Sequence, residues 1–323
     1  MRERAWSEDA GLVQERILEL RRVPALRALP ARSLADVARA VDVETRAPRP
    51  PLIVEGGTVR SVAWVLRGSV RWAHGGRALG RSEEGASVGL LEVLAGAPAR
   101  ASVTADGEVE LARVSADRFF ELLEDSFDLV EALLRAIASE LAMLGARTLS
   151  RAAGLEVSGA LPSEVDFTER LVRLRTSRPF VRAPIRALAT LAQRGRVRRW
   201  ARGARLWERG APAREIAVLL AGEVREARAA HRAGETLGLV EALAACPHGA
   251  TAVAHGPVVA HVFDVDALTD VLEDDEELSL TLLRTCAEEL LAERLARGLA
   301  PDLASGPPER SLPRALRAAD TSG

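Results

Sequence analysis

Apolar residues recur along this chain with two different periods. In "SLADVARAV" (33–41) and "IRALATLAQ" (185–193) they fall three and four apart, on one face of a helix. "SVAWVLRGSVRW" (61–72) behaves differently, with a nearly unbroken apolar run from Val62 to Leu66 followed by glycine and alternating charge. That run predicts a strand covered on both faces, with Arg67 and Arg71 turned outward. "ASVTADGEVELARV" (101–114) and "ATAVAHGPVVAHVF" (250–263) predict hairpins bent at Gly107 and Gly256. "VGLLEVLAGAPARASV" (88–103) reads as a glycine turn, one helical turn, a Gly-Ala-Pro bend and a strand. Stretches 115–144 and 264–296 each predict one long amphipathic helix, capped by Ser115 and Asp264, with early acids complementing the helix dipole.

These patterns occur twice. "GLLEVLAGAPARAS" from Gly89 matches "GLVEALAACPHGAT" from Gly238, and the same offset pairs Pro98 with Pro247, Asp117 with Asp266 and Leu133 with Leu282. Upstream, "EGGTVRSVAWVLRGSVR" from Glu55 matches "RGAPAREIAVLLAGEVR" from Arg209, pairing Gly56 with Gly210 and Gly68 with Gly222. The second copy is shorter in the loop between the counterparts of Gly68 and Gly85. The expected organisation is an N-terminal helix (1–22), a first domain (23–148), a linker (149–168), a second domain (169–297) and a flexible tail (298–323) rich in Pro, Gly and Ser.

Composition adds limits. The chain has 323 residues, 48% of them hydrophobic, enough to bury two cores. All 44 basic residues are arginine, and lysine, asparagine and tyrosine are absent, as the codon bias of a GC-rich bacterial genome produces. A net charge of -2 argues against a surface built throughout for nucleic acid. The N-terminus lacks the apolar core of a signal peptide, and no run approaches the roughly 18 apolar residues of a membrane span. A cytoplasmic location is expected. Two cysteines, Cys246 and Cys286, make no disulfide framework.

The ordered set of "EGGTVRSVAWVLRGSVR", "GASVGLLEVLAGAPARASV" and "VSADRFFELLED", present in two copies, resembles the cyclic-nucleotide-binding domain, a family that includes bacterial catabolite activator proteins and the regulatory subunits of cyclic-AMP-dependent kinase, which carry two such domains in tandem. The resemblance implies an α+β, mainly β fold: two tandem antiparallel β-rolls of jelly-roll type, each flanked by helices, with a short cassette helix and a long C-terminal helix. It also implies a hinge, in which packing at the cassette repositions the long helix. In the family, a cassette Glu accepts from the ribose 2′-hydroxyl and an Arg pairs with the cyclic phosphate. Here Gly89 and Gly238 match the family glycine, but Leu90 and Leu239 stand at the Glu position, and Ala99 and His248 at the Arg position. Arg100 follows one residue later and would reach a phosphate only through a bulge; Ser102 and Thr251 complete the candidate cassette positions. Each charge-assisted hydrogen bond contributes roughly 1.5–3 kcal/mol, so losing both anchors weakens nucleotide binding by several powers of ten. Glu92 and Glu241, about 200° around the helix from the family Glu, are expected to face away from the pocket.

Other constellations compete for attention. His231, His248, His255 and His261 lie in the second copy with Cys246 nearby, and a metal site is the alternative to scattered histidines. "RGRVRRWARGARLWER" (194–209) holds seven arginines with Trp200 and Trp207 interleaved. Solvated strand faces account for it, with nucleic-acid contact as the alternative. No nucleophile–base pair, Walker loop or metalloprotease helix is present, so no enzyme and no resident cofactor or metal is expected. The expected function is non-enzymatic regulation or scaffolding through protein contacts, with an unknown protein or a further copy of the chain as partner. The rival is a sensor that takes a cyclic nucleotide or another anion in one pocket, the first by virtue of Arg100.

Overall fold

The computed structural model describes residues 13–146, Leu149, 165–227 and 229–303. A helix α1 covers 13–20, and α2 (Ala31–Ala40) precedes the first set of strands. These are β1 (Asp42–Arg46), β2 (Ser61–Arg67), β3 (Val70–His74), β4 (Arg77–Ser82) and β5 (Ser87–Val88). The short helix α3 (Leu90–Ala95) follows, then β6 (Ser102–Ala105), β7 (Val109–Ser115), α4 (Ala116–Asp125) and α5 (Phe127–Met143). The second copy repeats that order. After α6 (Phe167–Thr176), a 3-10 turn (Arg178–Phe180) and α7 (Ile185–Arg194) come β8 (Arg196–Trp200), β9 (Arg205–Trp207), β10 (Glu215–Ala221) and β11 (Glu223–Glu226). β12 (Ala229–Arg232), β13 (Thr236–Leu237), α8 (Leu239–Leu243), β14 (Ala252–Ala254), β15 (Val258–Asp264), α9 (Val265–Asp274) and α10 (Glu276–Ala296) complete it.

Each copy folds its strands into two antiparallel sheets. The first has β1-β7-β2-β5 facing β4-β3-β6; the second has β8-β15-β10-β13 facing β12-β11-β14-β9. β2 shows why the apolar run from Val62 to Leu66 is continuous. Ala63 and Val65 point into the roll, while Val62, Trp64 and Leu66 face the helical layer, and Arg67 and Arg71 are exposed as expected. The segments around Gly107 and Gly256 are not hairpins. β6 bonds to β3 and β7 to β1 and β2, so the chain crosses between sheets at these bends. Glycine at 68 and 222 lets the crossings come close: a Cβ there would lie 2.6 Å from the Glu108 carbonyl and 2.3 Å from that of Pro257.

The long helices differ from expectation in one respect. Each is two helices, broken at Ser126 and Asp275, whose backbones are extended. Asp275 accepts from the Leu278 amide at 3.0 Å and so caps a new helix inside the amphipathic run. Ser115 caps α4 as expected, but the Asp264 side chain makes no cap bond. Helix α6 begins at Phe167, inside the stretch expected to be linker; most of that stretch, residues 1–12 and the tail beyond 303 lie outside the described residues.

The break lets the second helix of each pair reach across the molecule. α5 and α10 pack on one another; α10 covers α3 of the first copy, and α5 covers α8 of the second. Leu133, Leu134 and Ile137 of α5, Leu282, Leu290 and Leu291 of α10, and the cassette residues Leu90, Leu91, Leu239 and Val240 form one apolar core. Burying each such leucine contributes about 1.5–3 kcal/mol, so the two copies share one helical interior. Among the described residues, no helix is long and apolar enough to cross a membrane.

Candidate functional site

The backbone of the cassette is the same in both copies. Gly89 (φ +79°) and Gly238 (φ +77°) turn the chain from strand into helix in the left-handed region, and a Cβ at either would lie 2.8 Å from a backbone carbonyl, of Ser61 or of Glu215. Only glycine fits. The loop after each helix is held by equivalent bonds: Gly56 N–H donates to the Ala99 carbonyl and Gly210 N–H to that of His248, both at 2.8 Å. The Ser102 hydroxyl accepts from the Glu55 amide at 3.0 Å and the Thr251 hydroxyl from the Arg209 amide at 3.1 Å. Both hydroxyls therefore brace a loop.

The side chains at the family's anchor positions are not anchors. Leu90 and Leu239 are buried in the shared helical core, and Ala99 is buried as well. Arg100 is exposed, and its carbonyl accepts from His74 Nδ1 at 2.7 Å. Glu92 lies in the interior. It is 1% exposed, and Glu241 is likewise buried, because α3 and α8 are each sandwiched between a roll and a long helix. Burial dominates the protonation of Glu92: although the amides of Glu92 and Arg100 pull the other way, the pKa is pushed up to about 7, with the nearby Asp302 charge adding to the rise.

The interior of the second roll is filled by its own side chains. Trp207 and His248 stack nearly parallel at 4.3 Å between ring centres, and the Trp207 indole donates to Glu226 at 3.1 Å. Glu226 and Glu235 flank the two nitrogens of the buried His231 at 3.6 and 3.0 Å. Burial opposes charge on that imidazole, but the two carboxylates outweigh it and raise its pKa to about 9.

The repeat puts smaller residues at the matching places in the first roll: Ile53 for Trp207 and Ala99 for His248. The space is taken from elsewhere in the chain. Residues 300–303, expected within a flexible tail, are packed there: Ala300 belongs to the apolar cluster inside the first roll, and Asp302 and Leu303 are buried. The Ser82 hydroxyl donates to Asp302 at 2.6 Å, Trp72 Nε1 donates to Ser82 at 2.9 Å, and the Leu303 amide donates to the Ser87 hydroxyl at 2.9 Å. Arg294 of α10 donates to the Ala300 carbonyl and to Asp302, both at 2.5 Å, and also pairs with Glu140 of α5. Burial raises the pKa of both acids, against the pull of Arg294.

The remaining candidates are structurally engaged. Arg194 pairs with Asp270, Arg196 and Arg198 share Glu215, Arg205 pairs with Glu208, and Arg198 lies 4.9 Å over the Trp200 ring. His261 donates from Nε2 to the Leu191 carbonyl at 3.1 Å, and burial lowers its pKa. Cys286 is buried and its thiol is pushed up to about 12. Among the described residues, no group of three or more His, Cys, Asp or Glu is placed to hold a metal ion.

The sequence-based reasoning found the cassette glycines and the missing anchors but not Ser82, Ser87, Arg294 or Asp302. Aligning the two copies shows the signal: the first roll lacks the volume that Trp207 and His248 supply in the second.

Residues 47–126 match the family model of the cyclic nucleotide-binding domain. Among solved structures, the chain is similar to the regulatory domain of Toxoplasma gondii PKA with cAMP, at 15% identity and a TM-score of 0.35, over 89% of this chain and 97% of that one. It is also similar to the regulatory subunit of a cAMP-independent protein kinase A from Trypanosoma brucei, at 18% identity and a TM-score of 0.33, over 80% and 87%. The Trypanosoma cruzi counterpart bound to guanosine matches at 16% identity and a TM-score of 0.34, over 82% and 89%. No curated protein matches the chain.

Proposed function

We propose that this chain, whose first roll matches the cyclic nucleotide-binding domain, is a non-enzymatic regulatory or scaffolding protein of the cytoplasm that acts through protein contacts, with neither roll taking a cyclic nucleotide. One observation carries the reading: both rolls are already filled, and the positions that would hold ribose and phosphate are Leu90 and Ala99 in one, Leu239 and His248 in the other. A phosphate entering either roll would be desolvated without a cation at the usual place, at a cost of several kcal/mol.

The helices supply the regulatory geometry. Because α10 lies on α3 and α5 on α8, displacing either cassette helix moves the long helix belonging to the opposite copy. A partner that grips one long helix thus acts on the other roll, a two-state arrangement of the hinge type.

Calorimetry and thermal-shift measurements with cyclic AMP, cyclic GMP and cyclic dinucleotides test this. At ligand concentrations on the order of 1 mM, no heat of binding and no shift in melting temperature are expected. Stoichiometric heat with any of them overturns the reading and establishes the sensor instead.

A further inference from the structure

We infer that the interior of the first roll is a peptide-binding site, occupied in this structure by the chain's own segment 300–303, with the Asp302 carboxylate as the anionic group of a tethered ligand.

Three independent features support it. The first is volume. At equivalent positions of the repeat, the second roll carries Trp207 and His248 and closes on itself, whereas the first carries Ile53 and Ala99, and Ala300 enters its apolar cluster. The second is polar complementarity. Both oxygens of Asp302 are engaged, Oδ2 by the Ser82 hydroxyl and Oδ1 by Arg294, while the peptide backbone is read at two further points, the Ala300 carbonyl by Arg294 and the Leu303 amide by Ser87. A segment merely trapped by collapse would not have its charge and its backbone matched together. The third is position: Leu303, at the end of the segment, lies with Glu140 at the edge of an open cleft of about 420 Å³ between residues 24–30 and α5.

The chemistry of the site defines its ligand class: a peptide with a small apolar residue, one residue, then an aspartate followed by a large apolar residue. The site is built from the first roll together with Arg294 of α10 and does not depend on the regulatory reading, so a cyclic nucleotide found to bind would leave it open to test. A free peptide must compete with a tethered copy whose effective concentration is in the millimolar range. The intact chain is therefore expected to mask the site.

The test uses the full-length chain and a fluorescein-labelled peptide of sequence GLAPDL. The unmodified protein is expected to bind the peptide at least about tenfold more weakly than a full-length variant carrying Asp302→Ala and Leu303→Gly, whose tether is weakened. Replacing the peptide's aspartate by alanine is expected to abolish that gain. A cooperatively melting variant that binds no peptide at concentrations on the order of 1 mM overturns the inference. If the variant does not fold, hydrogen exchange of the unmodified chain decides. Protection of the Leu303 amide that is lost on adding excess peptide supports the site; exchange at the rate of unstructured chain, or protection that excess peptide leaves unchanged, overturns it.

Discussion

Replacing Glu92 by glutamine isolates the electrostatic consequence of a cassette helix with no outer face. In the folded chain the Glu92 carboxyl has a pKa of about 7, against 4.5 for the ordinary group, because its burial outweighs the pull of the Glu92 and Arg100 amides. The folded state therefore holds this proton more tightly than the unfolded state. Stability from this group is greatest below pH 4.5, falls as the pH rises from 4.5 to 7, and is flat above that range. A difference of about 2.5 units corresponds to roughly 3 kcal/mol in total, of which about 2–3 kcal/mol falls between pH 5 and pH 8. Glu92→Gln removes the titration while keeping the shape. Whatever its amide loses by being buried is the same at both pH values and cancels in the comparison. Urea denaturation of both proteins at pH 5 and pH 8 should show the variant gaining about 2–3 kcal/mol relative to the parent between the two conditions. If the two proteins change by the same amount within about 0.5 kcal/mol, Glu92 is not the buried acid described, and the sandwiching of α3 has been given the wrong electrostatic consequence.

Two further substitutions test the interiors of the rolls. His231, held near pKa 9 between Glu226 and Glu235, contributes stability that is fully present below about pH 6.5 and lost as the pH rises through 9. His231→Gln should cost on the order of 2 kcal/mol at pH 6 and little at pH 9.5, read by urea denaturation, and an equal cost at both would refute the ion pairing. Arg294→Met leaves Glu140 and Asp302 buried without their cation. It should destabilise by roughly 3–5 kcal/mol at pH 8 and by less at pH 5, where the acids can take up protons; a loss below about 1 kcal/mol would show that the pair is dispensable.

Much of this architecture is written locally in the chain. The duplication, the glycine turns at 89 and 238, the two-faced burial of β2 and the apolar residues at Leu90 and Leu239 all follow from short-range pattern. What escaped detection depends on partners distant in sequence. A helical wheel turns Glu92 away from the family's anchor position but does not tell what covers that side, and the burial of Glu92 comes from α10, some 190 residues further on, lying over α3. The strands on either side of Gly107 have the alternation and turn of a hairpin; nothing in that alternation says that they join different sheets. "GLAPDLASGPP" has the composition of a disordered end, and only the small residues at 53 and 99, compared with their counterparts 207 and 248, show that the first roll has room for it. The breaks at Ser126 and Asp275 were within reach, since both are good capping residues set inside an otherwise continuous amphipathic run.

The crossed packing of α5 and α10 gives the chain the arrangement of a symmetric dimer whose two subunits have been joined end to end. In a true homodimer each substitution appears twice, so both halves of the interface must tolerate every change. Covalent fusion lifts that constraint. One half was free to fill its roll with a tryptophan and a histidine while the other received residues 300–303 of the same polypeptide, so a molecule with twofold architecture presents two chemically different ends.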